Sequence, residues 1–179
     1  MIIGVGMMSD LRQERYNTIT GSEAEEKIVS MLRGSELGRL ALFDEKYPYI
    51  IPMNHVYYEG NLILHGSFEG KKIDLMEKNA SASYEIDYVV NESNLPIKKV
   101  KTCHLEYESV ILFGEVRQVE NSKERYKYLS IMVKEYGMPF QHGSEERCNA
   151  MLFKIHSASA RTGRFLPRAL EHKLFLCKF

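Results

Sequence analysis

The sequence predicts a mainly β protein with flanking helices, folded as a small closed or partly closed antiparallel barrel. Three observations carry this. Six or so segments rich in branched and aromatic residues recur along the chain, several alternating apolar with polar positions. Turn signals join the first of them into a meander, and helical patterns fall between strands with no running strand–helix–strand alternation. No GxGxxG follows a strand, which disfavours a dinucleotide-binding α/β domain. With 179 residues the chain is the size of one domain and can bury a core without disulfides or metals.

Residues 9–21 are polar and unpatterned and predict that 1–21 form a flexible arm. Ser22 followed by Glu25 is a capping box that opens a helix, with Ile28, Met31 and Leu32 as its apolar stripe and Gly34 as its stop. Leu37 to Phe43, Tyr47 to Tyr58 and Leu62 to His65 read as three antiparallel strands. Asp44-Glu45-Lys46 and the tight turn Glu59-Gly60-Asn61 separate them. Lys71 to Lys78 is helical, with Ile73, Leu75 and Met76 inward and Asn79 as the stop. Ala82, Tyr84, Ile86 and Tyr88 alternate with Ser83, Glu85 and Asp87, the mark of a half-buried strand. Residues 91–101 read as a surface loop, and Leu105 to Glu120 as a long strand that bends or bulges at Gly114. Ser122 to Tyr136 is a helix through Tyr126, Leu129, Met132 and Val133, and Cys148 to Ser157 is the last strand.

Lys plus Arg and Asp plus Glu are balanced at 24 each, which argues against a broad nucleic-acid-binding face but leaves room for a local anion site. Cys103, Cys148 and Cys177 cannot all pair within one chain, so reduced thiols and a cytoplasmic location are expected. No CxxC or HxxxH spacing supports a metal site. The apolar opening Met1 to Met8 has no basic flank and is too short for a signal peptide or a membrane span.

The sharpest chemical feature is His65-Gly66-Ser67-Phe68-Glu69-Gly70-Lys71-Lys72. Two lysines in the first turn of a helix sit at the positive end of its dipole, beside backbone N–H groups without partners. That placement makes sense if an anion, naturally a phosphate, binds there; solvated lysines after a turn are the alternative. Pro52 cannot donate to a ladder and marks an edge, a bulge or a place where another group faces the backbone. Tyr107 and Ser109 share one face of their strand, and a serine turned toward the barrel needs a partner. No Ser/His/Asp spacing, carboxylate pair or activated cysteine stands out, so any chemistry points to a bound cofactor.

The ordered set Gly38-Arg39-Leu40-Ala41, Ile51-Pro52-Met53-Asn54, His65-Gly66-Ser67-x-x-Gly70-Lys71-Lys72, Tyr107-x-Ser109-Val110 and Thr162-Gly163-Arg164 resembles the pyridoxamine 5′-phosphate oxidase-like flavoproteins. Within that family it is most similar to the 5-nitroimidazole resistance (nitroimidazole reductase) branch, over roughly residues 22–165. The resemblance implies a six-stranded antiparallel split β-barrel that binds FMN at a homodimer interface. By position, Lys71 and Lys72 hold the FMN phosphate, and the backbone of Pro52, Met53 and Asn54 lines the isoalloxazine ring. His65, Gly66 and Ser67 lie beside the ring and ribityl chain; Tyr107 and Ser109 approach from the facing strand, and Arg164 from the partner chain or C-terminal loop. The implied activity is reduction of a small organic acceptor, nitroaromatics included, with NAD(P)H as donor and His65 as proton relay. The tail from Arg164 to Phe179 lacks the tryptophan-bearing segment of the true oxidases, which argues against pyridoxamine phosphate oxidation; residues 166–179 are expected to pack on the barrel or a partner subunit. A non-catalytic flavin- or haem-binding module, an activity related to pyridoxamine 5′-phosphate oxidation and a cofactor-free interaction protein are the alternatives.

Overall fold

The computed structural model describes residues 16–19, 21–89, 106–139 and 143–164. The Met1 to Met8 run, the loop over 91–101, Cys103, Cys177 and the tail over 166–179 lie outside the described residues. The described chain runs β1 (Tyr16–Ile19), α1 (Gly21–Gly34), β2 (Leu37–Leu42), β3 (Tyr49–Tyr58), β4 (Asn61–Gly66) and α2 (Lys71–Lys78). It continues through β5 (Ser81–Val89), β6 (Glu106–Gln118), α3 (Ser122–Glu135), the short α4 (Ser144–Arg147) and β7 (Asn149–Arg164).

All pairings are antiparallel, in the order β1-β7-β4-β3-β2-β5-β6, and β6 pairs back onto β7. Strands β2 to β7 therefore close a six-stranded barrel. β7 makes this possible by its length: its start pairs with β4, most of its run pairs with β6, and its far end also carries β1. The register between β6 and β7 shifts at Phe113/Gly114. A Cβ on Gly114 would overlap the Lys154 carbonyl oxygen, so the bend expected at this glycine is a place where two backbones come too close for a side chain.

Period-two alternation sends Leu40, Leu42, Met53, Ala82, Tyr84, Ile86, Val110 and Leu112 into the barrel, where Ile28, Met31 and Leu32 of α1 and Ile73, Leu75 and Met76 of α2 complete the core. Each such leucine, isoleucine, valine or methionine contributes about 1.5–3 kcal/mol by leaving water. A second cluster lies outside the barrel wall, where Tyr128, Leu129 and Met132 of α3 cover Val56, Ile63 and Ala150. Asn121 caps α3, its side-chain oxygen accepting from the Lys123 and Glu124 N–H groups at 3.0 and 3.1 Å.

Several expectations are corrected. Part of the segment read as a flexible arm, Tyr16–Ile19, is strand β1, because the far end of β7 presents a free edge to it. β7 runs to Arg164 rather than Ser157, since β6 and β1 together carry it past the polar stretch that obscures its pattern. α1 starts at Gly21, one residue before the Ser22 capping box. The buried stripe of α3 uses Tyr128 in place of Tyr126. Tyr107 and Ser109 do share a face, but it is the outer one, because Val110 and Leu112 take the interior.

Candidate functional site

The β3–β4 hairpin turns through Glu59 at φ 48° and Gly60 at φ 77°, a two-residue turn that pairs Tyr58 with Asn61. The ladder then stops at His55 and Leu64. Beyond that point β4 follows β7, with His65 opposite Ala150 and Gly66 opposite Asn149, while β3 follows β2 from Tyr49 to Asn54. The two strands splay, and among the described residues no strand pairs with the β4-facing edge of β3 over 49–54.

The hydrogen bond from the His55 N–H to the Glu36 carbonyl, 3.3 Å, sets the phase of this edge. Odd-numbered residues bond toward β2, so Ile50, Pro52 and Asn54 turn their backbone groups into the gap. Pro52 has no N–H to leave stranded there, which accounts for a proline inside a strand. The Pro52 and Asn54 side chains are exposed, and Met53 points into the core.

Behind this edge lies a buried network. The Tyr84 hydroxyl donates to the Met53 carbonyl at 2.6 Å and lies 3.0 Å from His55 Nδ1, and His55 Nε2 donates to the Leu32 carbonyl at 3.0 Å. Gly38 makes this possible: its absent Cβ would sit 2.5 Å from Tyr84 Cζ and 2.6 Å from Oη. Burial pushes the His55 pKa down and the Tyr84 pKa up. Arg39, in the same motif, pairs on the outer face with Glu85 at 2.8 Å and with Asp87.

The opposite wall of the gap is the end of β4 and the start of α2. Gly70, at φ 108°, is the N-cap and supplies no side-chain cap. Its carbonyl accepts from the Ile73 and Asp74 N–H groups, leaving the first turn without a side-chain partner. Lys72 folds back over Gly66, where a Cβ would overlap its ammonium. Lys71, by contrast, is engaged: its Nζ lies 2.6 Å from Asp44 Oδ2 and 5.1 Å from the centre of the Tyr49 ring. The pair holds the Asp44 carboxyl below, and the Lys71 ammonium above, their ordinary pKa values.

His65 presents its outer edge to solvent, yet packing around the rest of the ring and the Lys72 charge hold its pKa below the usual imidazole value. Its Nδ1 lies 3.6 Å from Cys148 Sγ, which also faces the Gly66 carbonyl at 3.7 Å. Buried Asn149 donates to the Ser67 carbonyl at 3.5 Å and to Gln118, and its Oδ1 has no partner. The Ser67 hydroxyl accepts from the Glu69 N–H at 3.3 Å.

The structure thus gathers Pro52, Asn54, His65, Gly66, Ser67, Lys71 and Lys72 around one gap, while Met53, expected to line it with its backbone, bonds toward β2 and buries its side chain in the core. Tyr107, Ser109 and Arg164 lie elsewhere. The pairs Pro52–Arg39, Arg39–Glu85 and Glu85–Ile111 put β6 three strands away, about 14 Å at ~4.8 Å per strand, with Ser109 and Tyr107 further along. Arg164 stands opposite Glu106 at the end of β7. Sequence reasoning missed Asp44, Tyr49, Cys148 and Asn149, which come close only through the splay and carry no local pattern. A polar cavity of about 120 Å³ between the ends of α1 and α3, lined by Ser35, Glu36, His55, Glu135 and Tyr136 among others, contains none of the predicted site residues. Among the described residues no group of three or more metal-ligating side chains assembles, and no helix is long and apolar enough to cross a membrane.

The family model for pyridoxamine 5′-phosphate oxidase matches residues 24–162. No curated protein matches the sequence. Among solved structures, a putative 5-nitroimidazole antibiotic resistance protein from Bacteroides thetaiotaomicron is similar with a TM-score of 0.70 and 18% identity, covering 90% of this chain and 96% of that one. A FAD-binding protein from Mesorhizobium loti gives 0.59 and 19%, covering 83% and 98%. A FAD- and haem-binding protein from Mycobacterium smegmatis gives 0.65 and 17%, covering 86% and 76%. At these identities the likeness is one of fold.

Proposed function

The chain belongs to the pyridoxamine 5′-phosphate oxidase family, and from that membership we propose that it is an FMN-binding reductase of a small organic acceptor, nitroaromatics included, with NAD(P)H as donor. The observation that carries the reading is the gap itself. A strand edge that pairs with no strand among the described residues lies across the gap from a helix N-terminus that has no side-chain cap and two lysines in its first turn. The residues present fit a phosphorylated flavin. The Lys72 ammonium and the Lys71 and Lys72 N–H groups, ahead of the two that the Gly70 carbonyl engages, are anion donors, glycine at 66 leaves the space that the ammonium occupies, and the strand edge offers backbone groups to a planar heterocycle. A single such helix end favours the one phosphate of FMN over a dinucleotide.

A flavin bound there supplies two-electron exchange between donor and acceptor. Lys72 and Lys71 hold the phosphate, and the backbone groups of Pro52 and Asn54 orient the ring, with Met53 between them turned toward β2 and the core. The Tyr84–Met53 bond keeps that strand rigid. Burial and then the Lys72 charge favour the neutral form of His65, whose ring can both donate and accept a proton beside the ring edge.

The same reading places a second copy over the outer face of β3, β2, β5 and β6. That face carries the row Ile50, Ala41, Ser83, Phe113, with Ile50 60% and Phe113 43% exposed, beside Phe43 and Leu37. Pro52, Asn54, Tyr107 and Ser109 all lie on or beside it. A two-fold partner docked here supplies its Tyr107, Ser109 and Arg164 to the gap that one chain leaves incomplete.

The test is a fluorescence titration with FMN and riboflavin, followed by NADH or NADPH oxidation with a nitro compound. Lys72→Gln weakens FMN binding and leaves riboflavin binding unchanged; His65→Ala keeps FMN and loses turnover. Failure of the wild-type chain to bind either flavin refutes the reading, and full turnover in His65→Ala removes that residue from it.

A further inference from the structure

We infer that Asp44 is a built-in competitor at the anion site, occupying Lys71 in the free chain and so setting how strongly a phosphorylated ligand is preferred over its dephosphorylated form. The inference rests on the flavin reading above and adds to it a residue outside the shared motifs. Asp44 comes from the β2–β3 turn, and its position is fixed twice: Oδ1 accepts from the Glu45 N–H at 2.9 Å, and Oδ2 meets Lys71 Nζ at 2.6 Å. Lys71 opens α2, so its ammonium lies near the helix end where an anion is wanted, yet it turns toward Asp44 and the Tyr49 ring.

The charge count at the gap changes accordingly. Lys71 and Lys72 alone present two positive charges, whereas with Asp44 they present one. An arriving phosphate must therefore draw Lys71 from a carboxylate or bind to Lys72 and the helix end alone. Both partners of the ion pair reach solvent, so the exchange is a competition between two anions for one ammonium, not the opening of a buried bridge. A dephosphorylated ligand takes no part in that competition, which confines the effect of Asp44 to the phosphate.

The experiment titrates FMN and riboflavin into the wild type, Asp44→Asn, Lys71→Gln and the double variant, reading flavin fluorescence. Asp44→Asn is expected to tighten FMN about two- to fivefold, the range one exposed ion pair spans, with riboflavin unchanged. The gain disappears in the Lys71→Gln background. The inference is overturned if Asp44→Asn binds FMN no tighter than the wild type, if riboflavin gains equally, or if the gain survives without Lys71; in each case wild-type FMN binding still supports the flavin reading. A wild type that binds neither flavin refutes that reading and this inference with it.

Discussion

Replacing Gly38 with alanine tests the buried network behind the site. The new methyl would lie 2.5 Å from Tyr84 Cζ and 2.6 Å from Oη, where non-bonded carbons prefer about 3.5–4.0 Å. The ring must therefore yield by about 1 Å. It has little freedom to do so: the hydroxyl is held on the Met53 carbonyl, the ring meets His55 edge-on with centroids 5.3 Å apart, and it packs against Phe153 at 6.1 Å. Overpacking a core costs about 1–3 kcal/mol, and pulling the hydroxyl off its acceptor adds about 1–3 kcal/mol. A total of about 2–6 kcal/mol lowers the melting temperature of a chain this size by roughly 4–24 °C. Urea and thermal unfolding, followed by circular dichroism, measure it. The decisive comparison is Gly38→Ala in a Tyr84→Leu background, where the outer ring atoms are gone and the added cost falls close to zero. Equal costs in both backgrounds, or a wild-type loss below about 0.5 kcal/mol, refute the steric account.

His55 gives a pH prediction with a definite sign. Burial lowers its pKa, so as pH falls below about 6.5 the unfolded chain takes up the proton first, and stability declines with acidification while staying flat above that pH. His65 adds a slope of the same sign, and His55→Gln flattens the curve of unfolding free energy against pH; an unchanged slope contradicts it. The Leu32 carbonyl can only accept, so nitrogen NMR near pH 7.5 finds the His55 proton on Nε2. Asn121→Ala removes the α3 cap and costs about 1 kcal/mol in urea unfolding, and no measurable loss means that the capping bonds contribute nothing net.

Most of the fold was legible because its signals are local. The alternation of Ala82 to Tyr88, the turn at Glu59-Gly60 and the stop at Asn79 each act within a few residues, and the structure follows them. β1 was not legible: Tyr16–Ile19 has no pattern of its own and is a strand only because the distant end of β7 offers it an edge. The site divides the same way. Lysines at a helix start and a proline in a strand could be read from neighbours in sequence. The Asp44 contact to Lys71 and the Cys148 contact to His65 depend on which strands splay, and no spacing encodes that. Alternation put Tyr107 and Ser109 on one face but could not say which face the barrel would enclose.

The many-partnered strand β7 has a consequence for how the molecule assembles. It follows every other described strand, yet both β4 and β6 depend on it for closure, and β1 must wait to pair residue 16 with residue 163. Such distant contacts make for slow, late closure. During synthesis the β2–β5 and hairpin pairings can form first, with the β4 and β6 edges bare until β7 emerges. The interval before β7 docks is when this chain is most exposed to edge-to-edge association, and variants that weaken β7 should show it first as lost soluble yield.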